Sequence, residues 1–510
     1  MWKQFTLLSL SWLLLSQPSV TIRDAEPSNL KAGRPNIILI VSEDNGPELG
    51  CYGDKQAITP RLDALAAAGT RFARAYTTYS LCSPSRASLF TGLYPHQNGQ
   101  VGLATHKYRM YDGILTMPVF MKQAGYRTGI LGKIHVNPES SIPFDHRAVR
   151  SDNFGRKDMG EYLQRSEEFI KASAQPFLLM INFPDAHFPL VRQAGGMPAN
   201  PRSGKDMTGT LPFVGVSSDR LLGFTADYYN CMERLDQMCG QVFDMLKASG
   251  RDRNTVIIYL GDHGAQFSRG KQSNYEAGLR IPLIIYDPRA GKKNIVSNSF
   301  VSIIDILPTL MDIAGVHKPA GLPGQSLMPA TRKESLATER RFVFSACDGG
   351  TSVFFHPTRG VRDKRYKLIR NLMPGVNPDF MLYASHYNPH FAGGTEEAEL
   401  EGASSRIRQA YDTWRHPPAY ELYDLKEDPF EWQNLAGSPA YAKVQQELLE
   451  ALAQWQTETR DPLADSTLLK EYIDEMEEVR KRYPNDGYRK DSTFRWKFTD
   501  RFGAYVRKSA

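Results

Sequence analysis

The chain has 510 residues, which exceeds the roughly 250–300 at which a single hydrophobic core stops growing, so two domains are expected. Its 41% hydrophobic and 23% charged residues are ordinary for a soluble globular protein, and five cysteines without a Cys-x-x-Cys pair exclude a disulfide scaffold and a tetrahedral zinc site. The net charge of +6 suits a polyanionic substrate, although ordinary surface charge explains so mild an excess more simply.

The N-terminal segment places Lys3 before an apolar run that is too short to span a bilayer. This arrangement is typical of a signal peptide, so we predict a signal peptide and leader over residues 1–25. The mature protein is then exported to a periplasmic, secreted or lysosome-like compartment. An uncleaved anchor is the alternative. No later segment has spanning length, no nucleic-acid partner is predicted, and a homodimer is left open.

Three apolar runs of strand length are each followed by acidic residues or histidines. They are 36–41 before Glu43 and Asp44, 177–183 before Asp185 and His187, and 255–260 before Asp262 and His263. Helix-like stretches, among them 59–68, 115–124 and 227–248, lie between them. Buried strands that alternate with amphipathic helices predict an α/β fold with a large, mainly parallel sheet sandwiched by helices. The carboxyl ends of such strands form the usual ligand edge.

The second half of the chain changes in character near residue 355. The runs 281–286 and 302–314 still continue the α/β alternation. Short strands at 365–370 and 421–425 and a helix at 441–457 then predict a smaller C-terminal α+β domain on an antiparallel sheet. We therefore divide the chain into a main domain (34–355), a C-terminal subdomain (356–465) and a charged extension (466–510), to which the sequence assigns no role.

The acidic strand ends indicate a cation. Carboxylates that converge from separate strands repel one another unless a cation neutralises them, and a hard divalent ion with oxygen ligands does so. The alternative is that each pair caps a helix or lies on a solvated loop.

The segment Cys82-Ser83-Pro84-Ser85-Arg86 places a thiol where Pro84 stops regular structure before a helix-competent stretch. The N-terminus of a helix favours binding of an anion, and Arg86 lies one helical turn further along the chain. An N-capping serine segment or a reactive thiolate remains an alternative. Because five cysteines leave one unpaired, Cys82 is the candidate for the odd one.

This segment, continued by Ala-Ser-Leu-x-Thr-Gly and residues 91–99, resembles the type I sulfatase signature, and the resemblance extends over residues 35–465. It implies an alkaline phosphatase/sulfatase-like fold and a sulfated saccharide substrate. It also implies that Cys82 is oxidised to formylglycine (3-oxoalanine) by a formylglycine-generating or anaerobic sulfatase-maturating enzyme.

Within the family, the chain is most similar to the heparan N-sulfatases. The residues that carry this likeness are 95–99, 132–136, 421–424, 428–429, 433–436 and 455–462. The C-terminal ones matter most because that domain varies with substrate. The resemblance therefore implies hydrolysis of the N-sulfate of glucosamine in heparan- or heparin-type glycans.

The resemblance also implies a role for each site residue. Hydrated formylglycine at 82 is the nucleophile and contacts a metal ion. The remaining metal ligands are Glu43, Asp44, Asp262 and His263. Glu43 stands where Asp is usual and His263 where Asn is commonest. The flexible shell of Ca²⁺ accommodates the extra methylene of Glu43 better than Mg²⁺ does, so Ca²⁺ is preferred.

The resemblance assigns Arg86, Lys133 and Lys271 to the sulfate oxygens. His187 protonates the leaving group, and His135 removes the proton that allows sulfate to leave and the aldehyde to re-form. Asp185 is assigned to the amino sugar.

Three alternatives stay open. An O-sulfatase would use the same chemistry on another sulfated saccharide, and we expect the loops at 188–225 and 345–360 to distinguish the two. A phosphonate or phosphodiester hydrolase is disfavoured because the cations suit sulfate better. A non-catalytic carbohydrate-binding relative is disfavoured because no expected catalytic position carries an inert residue.

Overall fold

The computed structural model describes residues 33–149, 157–375, 377–378 and 393–507. The predicted signal peptide and leader, and residues 508–510 of the predicted extension, lie outside the described residues. No helix in the described part of the chain is both long and apolar enough to cross a membrane.

Two sheets are present. Strands match the predicted runs 36–41, 177–183, 255–260, 365–370 and 421–425 to within one residue at each end, and the run 281–286 divides into two short strands. The strands are β1 (Asn36–Ser42), β2 (Thr70–Tyr76), β3 (Arg127–Leu131), β4 (His146–Ala148), β5 (Phe177–Asn182), β6 (Thr255–Gly261), β7 (Arg280–Ile281), β8 (Leu283–Tyr286), β9 (Ile295–Ser302), β10 (Val343–Cys347), β11 (Thr358–Arg362), β12 (Tyr366–Asn371) and β13 (Tyr420–Asp424).

The helices lie between these strands and beyond the last of them. They are α1 (Pro60–Ala68), α2 (Cys82–Thr91), α3 (Pro95–Asn98), α4 (Met117–Gln123), α5 (Met159–Lys171), α6 (Asp219–Ala248), α7 (Glu276–Leu279), α8 (Ile306–Ala314), α9 (Met328–Thr331), α10 (Glu397–Glu401), α11 (Ser405–Arg415), α12 (Ala442–Thr459), α13 (Ser466–Arg482) and α14 (Phe498–Arg507).

The large sheet has nine strands in the order β4-β3-β5-β1-β6-β8-β2-β7, with β9 paired to β2. The pairs β3–β4, β3–β5, β1–β5, β1–β6 and β2–β9 are parallel. The pairs β6–β8, β2–β8 and β2–β7 are antiparallel. A mainly parallel sheet is therefore confirmed. The run 281–286, which continued the predicted α/β alternation, forms antiparallel strands.

The continuous apolar sequence of β1 reflects a strand buried on both faces. Ile38 and Ile40 lie in one hydrophobic core together with residues of α1, α5 and α6. Ile37, Leu39 and Val41 lie in a second core with residues of α2, α4 and α8. The predicted layers of helices on both faces are thus present.

Helix α6 starts at Asp219, eight residues before the predicted start at 227. The Ser218 side chain accepts a hydrogen bond from the Leu221 amide and caps the helix, and Asp219 suits the first turn. Gly223, the fifth residue of the helix, weakens the helical signal in the sequence.

The second sheet is antiparallel, as predicted, and its strands lie in the order β10-β11-β12-β13. Helix α12 covers it through Leu448, Leu452 and Trp455, which contact Val361 and Leu368. Residues from Pro35 onward form one compact unit that contains both sheets. The boundary at 355/356 stays a prediction.

The charged extension carries α13 and α14, and its aromatic residues form a buried cluster with residues of the main domain. We call this set the aromatic cluster; its rings include Tyr108, Tyr111, Phe355, Tyr472, Tyr488, Phe494, Trp496, Phe498 and Phe502. The extension is therefore folded onto the part of the chain that follows α3.

Candidate active site

The carboxyl ends of β5, β1 and β6 lie side by side, since these strands are neighbours in the sheet. The register pairs Val41 with Asn182 and Ser42 with Gly261, so the residues after each strand meet at one edge. The Asp44 amide donates a hydrogen bond of 3.0 Å to Asp262 Oδ1, which ties two of the loops together. The structure thus brings the predicted acidic residues to one place.

Cys82 is the first residue of α2, and every residue of that helix is buried. Its Sγ lies 3.3 Å from His263 Nε2 and 3.8 Å from Asp44 Oδ1. Burial opposes ionisation of the thiol, but Lys133, Lys271 and His263 outweigh it and lower the pKa of Cys82 to about 6. The site therefore stabilises negative charge at this atom.

Three buried cations surround Cys82, each paired with a carboxylate. Arg86 Nη2 lies 2.5 Å from Glu43 Oε1 and 3.2 Å from Asp262 Oδ2. Lys133 Nζ lies 2.8 Å from Glu43 Oε2. Lys271 Nζ lies 2.7 Å from Asp44 Oδ2. Burial opposes the charged form of both lysines, but Cys82 and Glu43 raise the pKa of Lys133, and Asp44 and Cys82 raise that of Lys271. Both lysines are therefore charged at neutral pH.

The five predicted metal ligands differ in how well they fit a cation. Asp44, Cys82, Asp262 and His263 each offer a ligand atom, and these atoms lie within 4.8 Å of one another. Asp262 Oδ2 accepts no hydrogen bond from the described residues, and Arg86 Nη2, at 3.2 Å, contacts it as an ion-pair partner. Carboxylate oxygens and an imidazole suit a divalent ion, so this set fits one. Glu43 belongs to a second possible set with Asp44, Cys82 and His187. Its Oε1 already accepts a hydrogen bond from Arg86 and its Oε2 one from Lys133, so it is the least available of the predicted ligands.

The two predicted proton-transfer histidines, His135 and His187, line the same cavity as Cys82, Lys133 and Lys271. Its volume is about 1160 Å³. Burial, and then Lys133, lowers the pKa of His135 well below its usual value. Burial, then Lys271 and Lys133, does the same to His187, whose side chain is 26% exposed to this cavity. Both imidazoles are therefore neutral at pH 7.

The histidines differ in their hydrogen bonds. His187 Nδ1 lies 2.6 Å from the Phe188 carbonyl oxygen, which can only accept, so Nδ1 carries the proton and Nε2 faces Asp44 at 4.0 Å. His135 Nδ1 is buried and makes no hydrogen bond within the described part of the chain.

Asp185 is held by two cations from outside the predicted set of site residues. Its side chain is fully buried and accepts two hydrogen bonds from Arg234, at 2.7 and 2.9 Å. Lys157 Nζ lies 3.2 Å from the same carboxylate. Burial favours the neutral acid, but Lys157 and Arg234 outweigh it and lower the pKa of Asp185. These contacts fix the loop that carries His187; contact with the sugar stays a prediction.

Sequence reasoning missed two polar residues that support the site. Asn182 Oδ1 accepts a hydrogen bond of 2.7 Å from Arg86, and Gln266 Oε1 accepts one of 3.2 Å from Lys271. An asparagine inside an otherwise apolar strand was a usable signal for Asn182. The cysteine count, by contrast, gave no signal, because all five cysteines are free thiols. The expectation that Cys82 is the unpaired one is thus not supported.

The loops expected to contact substrate contribute unequally. Thr351, Val353 and Phe354, from the predicted loop at 345–360, line the cavity. The described wall includes no residue of the other predicted loop, 188–225.

Comparison with known proteins gives two matching family models. One described as Sulfatase matches residues 35–316. One described as N-sulphoglucosamine sulphohydrolase, C-terminal, matches residues 261–391.

Individual proteins are similar over most of the chain. It is 32% identical to N-sulphoglucosamine sulphohydrolase of Homo sapiens, over 84% of this chain and 91% of that protein. It is 24% identical to an N-acetylglucosamine-6-O-sulfatase of Bacteroides thetaiotaomicron, over 88% and 91%. A solved complex of a protein with its substrate D-glucosamine-2-N,6-O-disulfate superposes with a TM-score of 0.62, covering 84% of this chain and 98% of that one. At 20% identity, this last likeness concerns the fold alone.

Proposed function

This chain belongs to the sulfatase family and is a sulfuric ester or sulfamate hydrolase, and we propose that it removes the N-sulfate of glucosamine residues in heparan- or heparin-type glycans. The match of residues 261–391 to the C-terminal model of N-sulphoglucosamine sulphohydrolase carries the choice of substrate. We further propose that formylglycine made from Cys82 and a bound Ca²⁺ ion are its cofactors.

The rival proposal is an O-sulfatase that acts on another sulfated saccharide. The likeness to an N-acetylglucosamine-6-O-sulfatase favours it. The buried residues around Cys82 do not distinguish the two, because they address the sulfate group and not the sugar. The cavity walls must therefore provide the difference.

The cations around Cys82 suit a sulfate group. Lys133 and Lys271 line the cavity with Cys82, and both carry charge at neutral pH. In a site from which water is excluded, such donors stabilise charge that develops on the sulfate oxygens and the leaving group. Arg86 holds Glu43 and Asp262 in place from the other side.

Ca²⁺ would be held by Asp44, Asp262 and His263 with Glu43 beside them, and it would supply a positive charge next to the sulfate. Formylglycine would supply the nucleophilic hydroxyl at position 82 and would release sulfate by breaking a C–O bond, so that water need not attack sulfur. Cys82 Sγ stands in for that oxygen in the distances given above.

The leaving amine requires a proton, and His187 lines the cavity in a position to provide it. Lys271 and Lys133 help to keep His187 neutral in the free protein. A bound sulfate places negative charge beside these lysines, which raises the pKa of His187 and favours its protonated form. His135, neutral and with Nδ1 free of described hydrogen bonds, suits the complementary role of base.

The proposal is tested by measuring sulfate released from N-sulfoglucosamine and from glucosamine 6-O-sulfate. We expect release from the first and much less from the second. Release from the O-sulfated sugar alone would refute the N-sulfatase assignment. Peptide mass spectrometry of residues 82–86, in protein from its native host, is expected to show conversion of the thiol to an aldehyde. The Cys82→Ala variant is the control without turnover, and unmodified cysteine throughout would refute the mechanism.

A further inference from the structure

We propose that the C-terminal extension, residues 466–510, completes the substrate cavity and that Arg489 binds a second anionic group of the saccharide. That group is a sulfate or carboxylate away from the sulfate that is cleaved. The inference rests on the proposed function, because it concerns the same cavity. Both family models end before the extension, at residues 316 and 391, and the sequence assigned it no role.

The extension forms part of the cavity wall. Asn485, Asp486 and Arg489 line the cavity together with Cys82 and Lys133. Ligand pockets usually measure about 300–1,000 Å³, so a volume of about 1160 Å³ leaves room beyond a single sugar ring. A substrate that fills this cavity reaches the extension.

The extension is fixed in place by contacts with residues 106–108. Trp496 Nε1 donates a hydrogen bond of 3.0 Å to the His106 carbonyl, and Lys107 Nζ donates one of 2.5 Å to the Asp491 carbonyl. The ring of Tyr108 lies 4.9 Å from that of Trp496, inside the aromatic cluster. These contacts hold the extension rigidly enough for one of its side chains to act as a binding residue.

The turn before Arg489 is equally well held. Asn485 and Asp486 adopt φ angles of 54° and 56°, in the left-handed region that Asn and Asp enter more readily than other non-glycine residues. Asp486 is 8% exposed, accepts a hydrogen bond of 2.9 Å from Ser352 Oγ and lies 3.5 Å from His106 Nε2. The Asp486 carboxylate therefore contacts Ser352 and His106 of the main domain, which holds the turn against that domain.

Arg489 differs from the other arginine on the cavity wall. Arg147 Nη2 is 2.6 Å from Glu139, so its charge is paired. Arg489 donates from Nε to the Thr105 carbonyl at 3.3 Å, and within the described residues it has no carboxylate partner. Its Nη groups remain available for an anion. A planar guanidinium matches the oxygens of a sulfate or carboxylate in a forked pair of hydrogen bonds.

The test compares Arg489→Ala with Lys490→Ala, which removes the same charge from the neighbouring exposed residue outside the cavity wall. Three probes share one N-sulfate: N-sulfoglucosamine, its 6-O-sulfated form, and a disaccharide that links N-sulfoglucosamine to a uronate. Calorimetry gives Kd with proteins that also carry Cys82→Ala, which prevents turnover. Sulfate release gives kcat and KM with otherwise native proteins.

We expect Arg489→Ala to weaken binding of at least one probe with a second anion by about 10-fold or more, the loss of one charge-assisted contact. Weaker binding of the 6-O-sulfated probe would identify a sulfate as the ligand of Arg489, and weaker binding of the uronate disaccharide would identify a carboxylate. Binding of N-sulfoglucosamine and kcat should change little. Equal weakening for all probes, an equal effect of Lys490→Ala, or no effect on either dianionic probe would overturn the inference. Absence of sulfate release by the native protein, with the Kd pattern kept, would count against the proposed function alone.

Discussion

Replacing Lys133 by alanine is expected to abolish most turnover while the fold persists. Lys133 Nζ lies 2.8 Å from Glu43, and its side chain lines the cavity beside Cys82. Loss of one charged donor to the reacting sulfate is expected to lower kcat by roughly 10²–10³, or about 3–4 kcal/mol. The same change in kcat/KM is expected if the contact forms only in the transition state.

Lys133→Ala is expected to destabilise the protein less than a substitution that leaves a buried ion without any partner. Glu43 keeps its contact with Arg86 at 2.5 Å, so its carboxylate is not left unpaired. The loss is therefore about 1–3 kcal/mol rather than the roughly 3–5 kcal/mol of a broken buried pair. Thermal unfolding checks this figure, and sulfate release from N-sulfoglucosamine gives kcat and KM.

Lys122→Ala is the matched control. Lys122 also faces a carboxylate, Asp145 at 3.4 Å, but both side chains are more than a third exposed. We expect no change in kcat and a stability loss below about 1 kcal/mol. Mass spectrometry of Cys82 in each variant separates lost catalysis from lost oxidation. A Lys133→Ala enzyme with oxidised Cys82 and kcat within a few-fold of wild type would refute the assigned role.

Removing metal with EGTA is expected to stop sulfate release, and Ca²⁺ should restore it better than Mg²⁺; restoration by Mg²⁺ alone would contradict the assignment of Ca²⁺. Acid is expected to destabilise the fold, because burial lowers the pKa of His96 to about 4, whereas the unfolded chain binds the proton near pH 6.5. The free energy of unfolding should fall by on the order of 3 kcal/mol as the pH drops from 6.5 to 4. In urea titrations at several pH values, His96→Gln should make the free energy of unfolding less dependent on pH. An unchanged pH dependence in this variant would contradict the role given to His96. Arg359→Met should cost about 3–5 kcal/mol, because buried Asp461 loses two hydrogen bonds. Lys470→Met, whose partner Asp474 is exposed, should cost less than about 1 kcal/mol, and equal losses in urea unfolding would contradict this reasoning.

The central strands β5, β1 and β6 of the large sheet were predictable because burial on both faces makes their sequences almost continuously apolar. Runs such as 36–41 are apolar without interruption, and the first polar residues after them mark the ligand edge. The same marks located Asp44, Asp262 and His263, which the structure brings within reach of one ion. Their roles came from the resemblance of the Cys82 segment to a family, since spacing alone left a thiolate or a helix cap open.

The remaining features depend on contacts that separate distant parts of the chain provide. Asp185 accepts hydrogen bonds from Arg234 on α6, 49 residues away, and no local sequence pattern predicts that pair. The burial of the aromatic residues of the extension could not be predicted locally, because their partner Tyr108 lies 388 residues before Trp496. Whether cysteines form disulfides likewise depends on the distances between them in the folded chain, which their number does not reveal.

If Cys82 is converted to formylglycine, as we propose, the complete burial of helix α2 limits when an enzyme can carry out that conversion. A protein-sized catalyst cannot reach a side chain that is 2% exposed, so it must act before the surrounding layers close. Those layers include β6, which pairs with β1 along its whole length, and Lys271, which follows it. At about 5–20 residues per second, synthesis from residue 82 to residue 271 takes roughly 10–40 s. On that proposal, the position of β6 beside β1 gives the maturation enzyme a limited time during synthesis in which Cys82 is accessible.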